Sequence, residues 1–220
     1  MEKNIIIHWD SLEYMKTLPD KCIDLVLTDI PYNECNRESN WIGKLYYWVA
    51  DSSVFDMDIL LNEIGRICRG SFYIFCWMWQ FSNIYNKMKA NFSMRCIVWE
   101  KTNPVPRNWK HIWLSWVEIC VYWKLPWATY NWNCNNTVLR YPIESWQLHP
   151  TQKNYNLFYK LIETSSNPWD LILDCFAWSW TTAVACIETW RNYIVIEKEK
   201  DYIDIIHKRV KNTNTPLFTI

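Results

Sequence analysis

Residues 171–197 read LILDCFAWSWTTAVACIETWRNYIVIE. Leu171 to Asp174 is an apolar run ending in an acid, the pattern of a strand buried on both faces. A short loop leads into 181–189, whose small and apolar residues suit a helix. Tyr193 to Glu197 is a second apolar run that also ends in an acid. Strand, crossover helix and strand make the unit from which parallel sheets are built. The same alternation extends outward. Asn4 to His8 predicts a short strand, and Asp10 opens a helix through Leu18 with Glu13 completing a capping box. Ile23 to Thr28 (IDLVLT) predicts another buried strand, and Asp56 to Arg69 a helix with Ile59, Leu60, Ile64 and Ile67 at helical spacing. Ser71 to Phe75, Met94 to Trp99 and Val117 to Tyr122 read as strands. Phe81 to Met88, Asn154 to Thr164 and 200–211 read as helices. Segments 102–115 and 125–145 are rich in Asn, Pro and Trp, lack periodicity and are expected to be loops. The whole predicts an α/β sheet with helices on both faces.

Composition bounds the function. The chain has 220 residues, enough for one domain spanning 1–220, with 50% hydrophobic and 21% charged residues and a formal net charge of zero. No apolar run approaches the ~20 residues that span a bilayer, and the start shows no signal-peptide pattern. The nine cysteines are scattered without a Cys-x-x-Cys pair, so neither a zinc site nor a disulfide framework is suggested. A reduced cytoplasmic protein, away from membranes, is expected. From Arg95 to Trp146, Arg95, Lys101, Arg107, Lys110, Lys124 and Arg140 outnumber Glu100, Glu118 and Glu144. This mildly basic stretch could track phosphates or be an ordinary solvated surface. No Gly-rich phosphate loop with Lys-Ser/Thr is present.

Ligands in open α/β sheets bind beyond the carboxyl ends of the strands, and four predicted strands end in candidate chemistry. One ends in Asp29-Ile30-Pro31-Tyr32, another in Asp174-Cys175-Phe176-Ala177-Trp178-Ser179-Trp180-Thr181-Thr182. A third ends in Glu197 and the fourth in His8-Trp9-Asp10. The first resembles the Asp-Pro-Pro-Tyr motif of S-adenosylmethionine-dependent DNA amino-methyltransferases. The second is similar to their cofactor loop, Asp-Pro-Phe-Ala-Gly-Ser-Gly-Thr-Thr. His149-Pro150-Thr151-Gln152-Lys153 matches a further family segment, and the motif order is that of the permuted beta class.

The resemblance implies a Rossmann-like methyltransferase sheet of seven strands, mostly parallel with one antiparallel strand. It also implies methyl transfer from S-adenosylmethionine to the exocyclic amino group of a base in double-stranded DNA. Adenine is preferred because the motif begins with Asp; cytosine-N4 transfer and an inactive DNA-binding relative are the alternatives. Asp29 and the carbonyl of Ile30, restrained by Pro31, would hold both amino hydrogens and turn the nitrogen lone pair towards the methyl group. Tyr32 would stack the extruded base. The cofactor would be held by Asp10, His149, Thr151, Gln152, Lys153, Asp174, Phe176, Ala177, Trp178, Ser179, Trp180, Thr181, Thr182 and Glu197, with Glu197 on the ribose. Residues 102–146 would form the small variable region facing DNA. The resemblance allows a homodimer.

The departures from the family share one theme. At an ordinary ~7% there would be roughly 15 glycines, whereas the chain has 3 Gly and 17 Trp. By resemblance, Trp9, Trp146, Trp169, Trp178, Trp180 and Trp190 stand where the family has Gly. Trp116, Trp123, Trp127 and Trp132 sit in contexts that would also suit it, whereas Trp99 matches a family Trp. Bulk at 178 and 180 is expected to weaken cofactor binding, and any position needing positive φ to be strained. A codon meaning glycine but written as Trp fits the counts. It does not cover Ile30, Cys175 or Val195, where the family has Pro, Pro and Gly.

Overall fold

The computed structural model describes residues 1–32, 55–89, 94–104, 117–132, 135–144, 153–178 and 181–213. In chain order the elements are β1 (Ile5–His8), α1 (Ser11–Thr17), β2 (Ile23–Asp29), α2 (Met57–Ile67), β3 (Cys68–Cys76), α3 (Met78–Met88) and β4 (Arg95–Lys101). There follow β5 (Val117–Lys124), β6 (Val138–Tyr141), α4 (Tyr155–Ser165), β7 (Leu171–Asp174), α5 (Thr181–Glu188), β8 (Asn192–Glu197) and α6 (Lys200–Thr213). The eight strands form one sheet in the order β1-β8-β7-β2-β3-β5-β4-β6. Only β5 runs against its neighbours, pairing antiparallel with both β3 and β4; the other pairings are parallel.

Two-residue alternation along the central strands builds a core on each face. Val26, Phe72 and Ile74 point to a layer with Met15 of α1, Leu60, Leu61 and Ile64 of α2, and Ile84 of α3. Leu25, Leu27, Tyr73 and Phe75 point the other way, to Leu157, Leu161 and Ile162 of α4, Ala183 and Cys186 of α5, and Ile206 of α6. Among the described residues, three helices therefore cover each face. Polar caps begin three of them: the side chains of Asp10, Asp56 and Asn154 accept backbone N–H bonds at the starts of α1, α2 and α4, satisfying donors that a helix start leaves unpaired. Gly70 meets a steric demand of its own. A Cβ there would fall 1.9 Å from the Asp24 carbonyl oxygen, where β2 and β3 shift register.

The structure corrects the sequence reading at one element. The strand β6 lies inside 125–145, expected to be loop, and makes the sheet eight-stranded rather than seven. Its four residues, VLRY, alternate between exposed and half-buried. So short an edge strand has no periodicity to read, and it is pairing with β4 that fixes it. Elsewhere the expected elements are present with ends shifted by up to three residues.

Strand order places the site. From β2 the chain moves through α2 to β3 on one side; from β7 it moves through α5 to β8 on the other. The β2/β7 boundary is thus a topological switch point, where the carboxyl ends of diverging strands leave a crevice. Asp29 ends β2 and Asp174 ends β7, while His8 and Glu197 are register partners at the ends of β1 and β8.

Candidate active site

Asp29 is buried at the tip of β2 and held by two partners. The Tyr32 hydroxyl donates to its Oδ1 at 2.7 Å, and the Lys153 ammonium lies 2.8 Å from its Oδ2. Lys153 Nζ also lies 2.6 Å from Glu118 Oε2, and Lys101 Nζ is 2.5 Å from Glu118 Oε1. Two carboxylates and two ammoniums thus form a continuous buried chain across β2, β5, β4 and the start of α4. Burial is the main influence on Asp29 and raises its pKa to about 6 against the pull of Lys153. Burial acts the same way on Glu118, but Lys153 and Lys101 together hold it down to about 2. Lys153 is desolvated too, yet its two carboxylate neighbours raise its pKa and keep it charged.

The turn after Asp29 is fixed from outside. The Ile30 N–H donates to the Phe75 carbonyl at 3.1 Å. Gln80 Nε2 donates to the Pro31 carbonyl at 2.7 Å, and Gln80 Oε1 accepts from the Trp77 N–H at 2.9 Å. The carbonyl of residue 29 accepts from Trp178 Nε1 at 2.6 Å. The Tyr32 ring is tilted against Trp77, centroids 6.0 Å apart, and has the Lys153 ammonium 5.1 Å from its centroid.

Beside this cluster, two cavities share Phe176 and Trp178 in their linings. One of about 50 Å³ is lined by Asp10, Phe55, Phe176, Trp178 and Glu197, among others. The other, of about 10 Å³, is lined by Asp29, Lys153, Asp174, Phe176, Trp178, Thr181 and Thr182, among others. Asp174 accepts from the Phe176 N–H at 3.2 Å and the Thr182 hydroxyl at 2.5 Å. Glu197 accepts from the N–H groups of Trp178 at 3.0 Å and Glu199 at 2.8 Å. Burial raises both acids to about 7. Asp10 is occupied as the α1 cap at 3.0 Å from the Leu12 N–H, with its other oxygen 3.5 Å from Lys198 Nζ.

The structure thus brings together Asp29, Ile30, Pro31, Tyr32, Lys153, Asp174, Phe176, Ala177, Trp178, Thr181 and Thr182, with Glu197 and Asp10 on the far side of Trp178. His149, Thr151, Gln152, Ser179 and Trp180 lie outside the described residues. Lys153, expected on the cofactor, lines the smaller cavity and has its ammonium on Asp29 and Glu118. Sequence reasoning missed Glu118 and Gln80, although a glutamate within the apolar run 117–122 was a signal that a cation faced it. Trp123, placed among the Gly-like positions, is a core residue, buried with its ring centroid 5.0 Å from that of Phe72.

The sequence profile of the N6/N4 family, described as DNA methylase, matches residues 109–208. The type II methyltransferase M2.MboI of Moraxella bovis is 31% identical over 94% of this chain and 88% of its own. The chain belongs to the N6/N4 DNA methylase family. This methylase is also similar to the DNA adenine methyltransferase YhdJ of Escherichia coli K12, 27% identical over 95% of this chain and 83% of that one. Among solved structures it superposes on the complex of M1.HpyAVI with S-adenosylmethionine with a TM-score of 0.72 and 28% identity. That match covers 93% of this chain and 98% of the other.

The polar set of the site fits such a cofactor. Glu197 and Asp10 edge one cavity with acceptors for hydroxyl and amino groups, and Asp174 lies near the other. The space does not fit. Ligand pockets run to about 300–1,000 Å³, far above either cavity, and the side chains common to both are those of Phe176 and Trp178.

Proposed function

We propose that this DNA methyltransferase acts on the exocyclic amino group of adenine in double-stranded DNA, with S-adenosylmethionine as methyl donor. The observation that carries the reading is the buried Asp29 carboxylate at the β2/β7 crevice, 2.7 Å from the Tyr32 hydroxyl and 2.8 Å from Lys153. An aromatic amino group is a poor nucleophile because its lone pair is delocalised into the ring. An ionised Asp29 and the Ile30 carbonyl can accept its two hydrogens and stabilise positive charge as it develops on nitrogen. Lys153 favours the ionised form of Asp29 against desolvation. Gln80 holds the adjacent peptide and so preorganises the acceptor pair. Tyr32 and Trp77 offer aromatic faces to an extruded base. When bound, the cofactor supplies an activated methyl group; Glu197 would accept from its ribose and Asp10 lies at the same cavity.

Adenine is favoured by the initial Asp of the motif and by the similarity to an adenine-specific relative. The test is transfer of a radiolabelled methyl group into DNA by protein with Trp178 and Trp180 replaced by glycine, followed by nucleoside analysis. Label in N6-methyladenine supports the reading, and label in N4-methylcytosine overturns the choice of base. Absence of label in a protein that binds cofactor overturns catalysis.

A further inference from the structure

Five described non-glycine residues adopt positive φ: Asn4, Lys21, Trp169, Trp178 and Trp190. Asparagine tolerates that region; tryptophan, with a bulky Cβ substituent, does not. That three of five should be tryptophan is improbable for a residue making up 17 of 220, and each occupies a position whose geometry calls for glycine.

Trp190 (φ 62°) follows α5. The Arg191 N–H bonds the Cys186 carbonyl at 2.8 Å and the Trp190 N–H bonds that of Ile187 at 3.2 Å. These are the paired bonds of a Schellman motif, with residue 190 at the left-handed position where glycine predominates. Trp169 (φ 72°) is the third residue of the turn Asn167-Pro168-Trp169-Asp170, closed by an Asp170 N–H to Asn167 carbonyl bond of 3.1 Å. Proline second with positive φ third defines a type II turn, which wants glycine third. Both indoles are 68% exposed, so packing does not explain their presence. Trp178 (φ 32°) lies in the loop between Asp174 and α5 and lines both cavities of the candidate site, as Phe176 does. By contrast Trp99 and Trp123 are buried in the core, and Trp99 Nε1 donates to the Tyr141 carbonyl at 2.9 Å.

We infer that the polypeptide made in the source cell carries glycine at 169, 178 and 190, inserted at a codon that is elsewhere read as tryptophan, and that glycine at 178 opens the cofactor cavity. The coding part stands on backbone geometry and composition alone; the cavity part rests on the function proposed above. Removal of the indole leaves Phe176 as the one described side chain lining both the space edged by Asp10 and Glu197 and that edged by Asp29 and Asp174, and adds the indole's volume to them. The Glu197 oxygen now bonded to the residue 178 N–H keeps that bond, because the donor is backbone.

One tryptic peptide, Leu161 to Arg191, contains 169, 178, 180 and 190. Fragment-ion sequencing of that peptide from protein purified from the source cell should read glycine at 169, 178 and 190. Tryptophan there overturns the coding inference. In parallel, calorimetric titration with S-adenosylmethionine should show no heat of binding for the tryptophan form. Protein with Trp169, Trp178, Trp180 and Trp190 all changed to glycine should bind with at least a hundredfold gain in affinity. If the native peptide carries glycine but the glycine protein binds no cofactor, the coding inference stands and the cofactor reading fails. Binding by the tryptophan form equal to that of the glycine form overturns the role given to residue 178.

Discussion

Trp190→Gly and Trp190→Ala form a pair whose order of stability reports the backbone at the end of α5. Both remove the same indole, so lost packing, including its edge contact with Trp169 at 6.2 Å between centroids, cancels between them. What remains is the conformational difference at φ 62°. A residue with a Cβ in the left-handed region costs ~1–2 kcal/mol. Glycine loses more chain entropy on folding, offsetting ~0.5–1 kcal/mol of that gain. The glycine variant should therefore be the more stable by about 0.5–1 kcal/mol. In an ordinary helical position the order is reversed, with alanine ahead by roughly 1 kcal/mol. Urea unfolding followed by circular dichroism reads this as a midpoint about 0.3 M higher for the glycine variant at a slope of about 2 kcal/mol/M. An alanine variant that unfolds at the same or higher urea would refute the Schellman assignment of residue 190.

Lys153→Met should destabilise the fold by about 3–5 kcal/mol, because it leaves Asp29 and Glu118 buried without their shared cation; denaturant midpoints measure it, and a change under 1 kcal/mol contradicts the ion chain. Asp29→Ala in the glycine protein should abolish methyl transfer to DNA while cofactor affinity measured by calorimetry stays within a few fold. Full activity removes the mechanism. Asp174 and Glu197 have folded pKa values raised to about 7, so their stabilising effect is complete below their unfolded values and is lost as pH rises through 7. Stability should fall by about 2–3 kcal/mol between pH 6 and 8, with Asp174→Asn removing roughly half of that dependence. A flat or rising profile measured by denaturant unfolding contradicts it.

Much of this fold was legible because its strands are buried on both faces and its helices carry polar caps. Continuous apolar runs such as IDLVLT and LILD, each ended by an acid, mark β2 and β7 in the sequence, whereas their adjacency comes from the sheet order. Asp29 and Asp174 could be named because a strand's carboxyl end is where such sheets bind ligands. Glu118 could not be placed, because which cation faces a glutamate in β5 depends on the reversal of that strand and on its pairing with β3 and β4. Gln80 was equally invisible: its contact with the Pro31 carbonyl joins residues 49 apart. The strand β6 was missed because four half-exposed residues acquire their conformation from a neighbour. The tryptophan excess was visible in composition, and the resemblance set Trp99 apart from 169, 178 and 190. But Trp123 could be moved to the core only from its burial, and the strain at 169, 178 and 190 is read only from the backbone angles.

The chain of Lys101, Glu118, Lys153 and Asp29 carries two positive and two negative charges, so the floor beneath Tyr32 is neutral as a whole. On the function proposed above, an unpaired nucleobase, neutral as well, would settle there without dragging a counterion from solvent or leaving one behind. The carboxylate proposed to grip one amino group has its countercharge, Lys153, 2.8 Å away, so its field would stay local beside a polyanion.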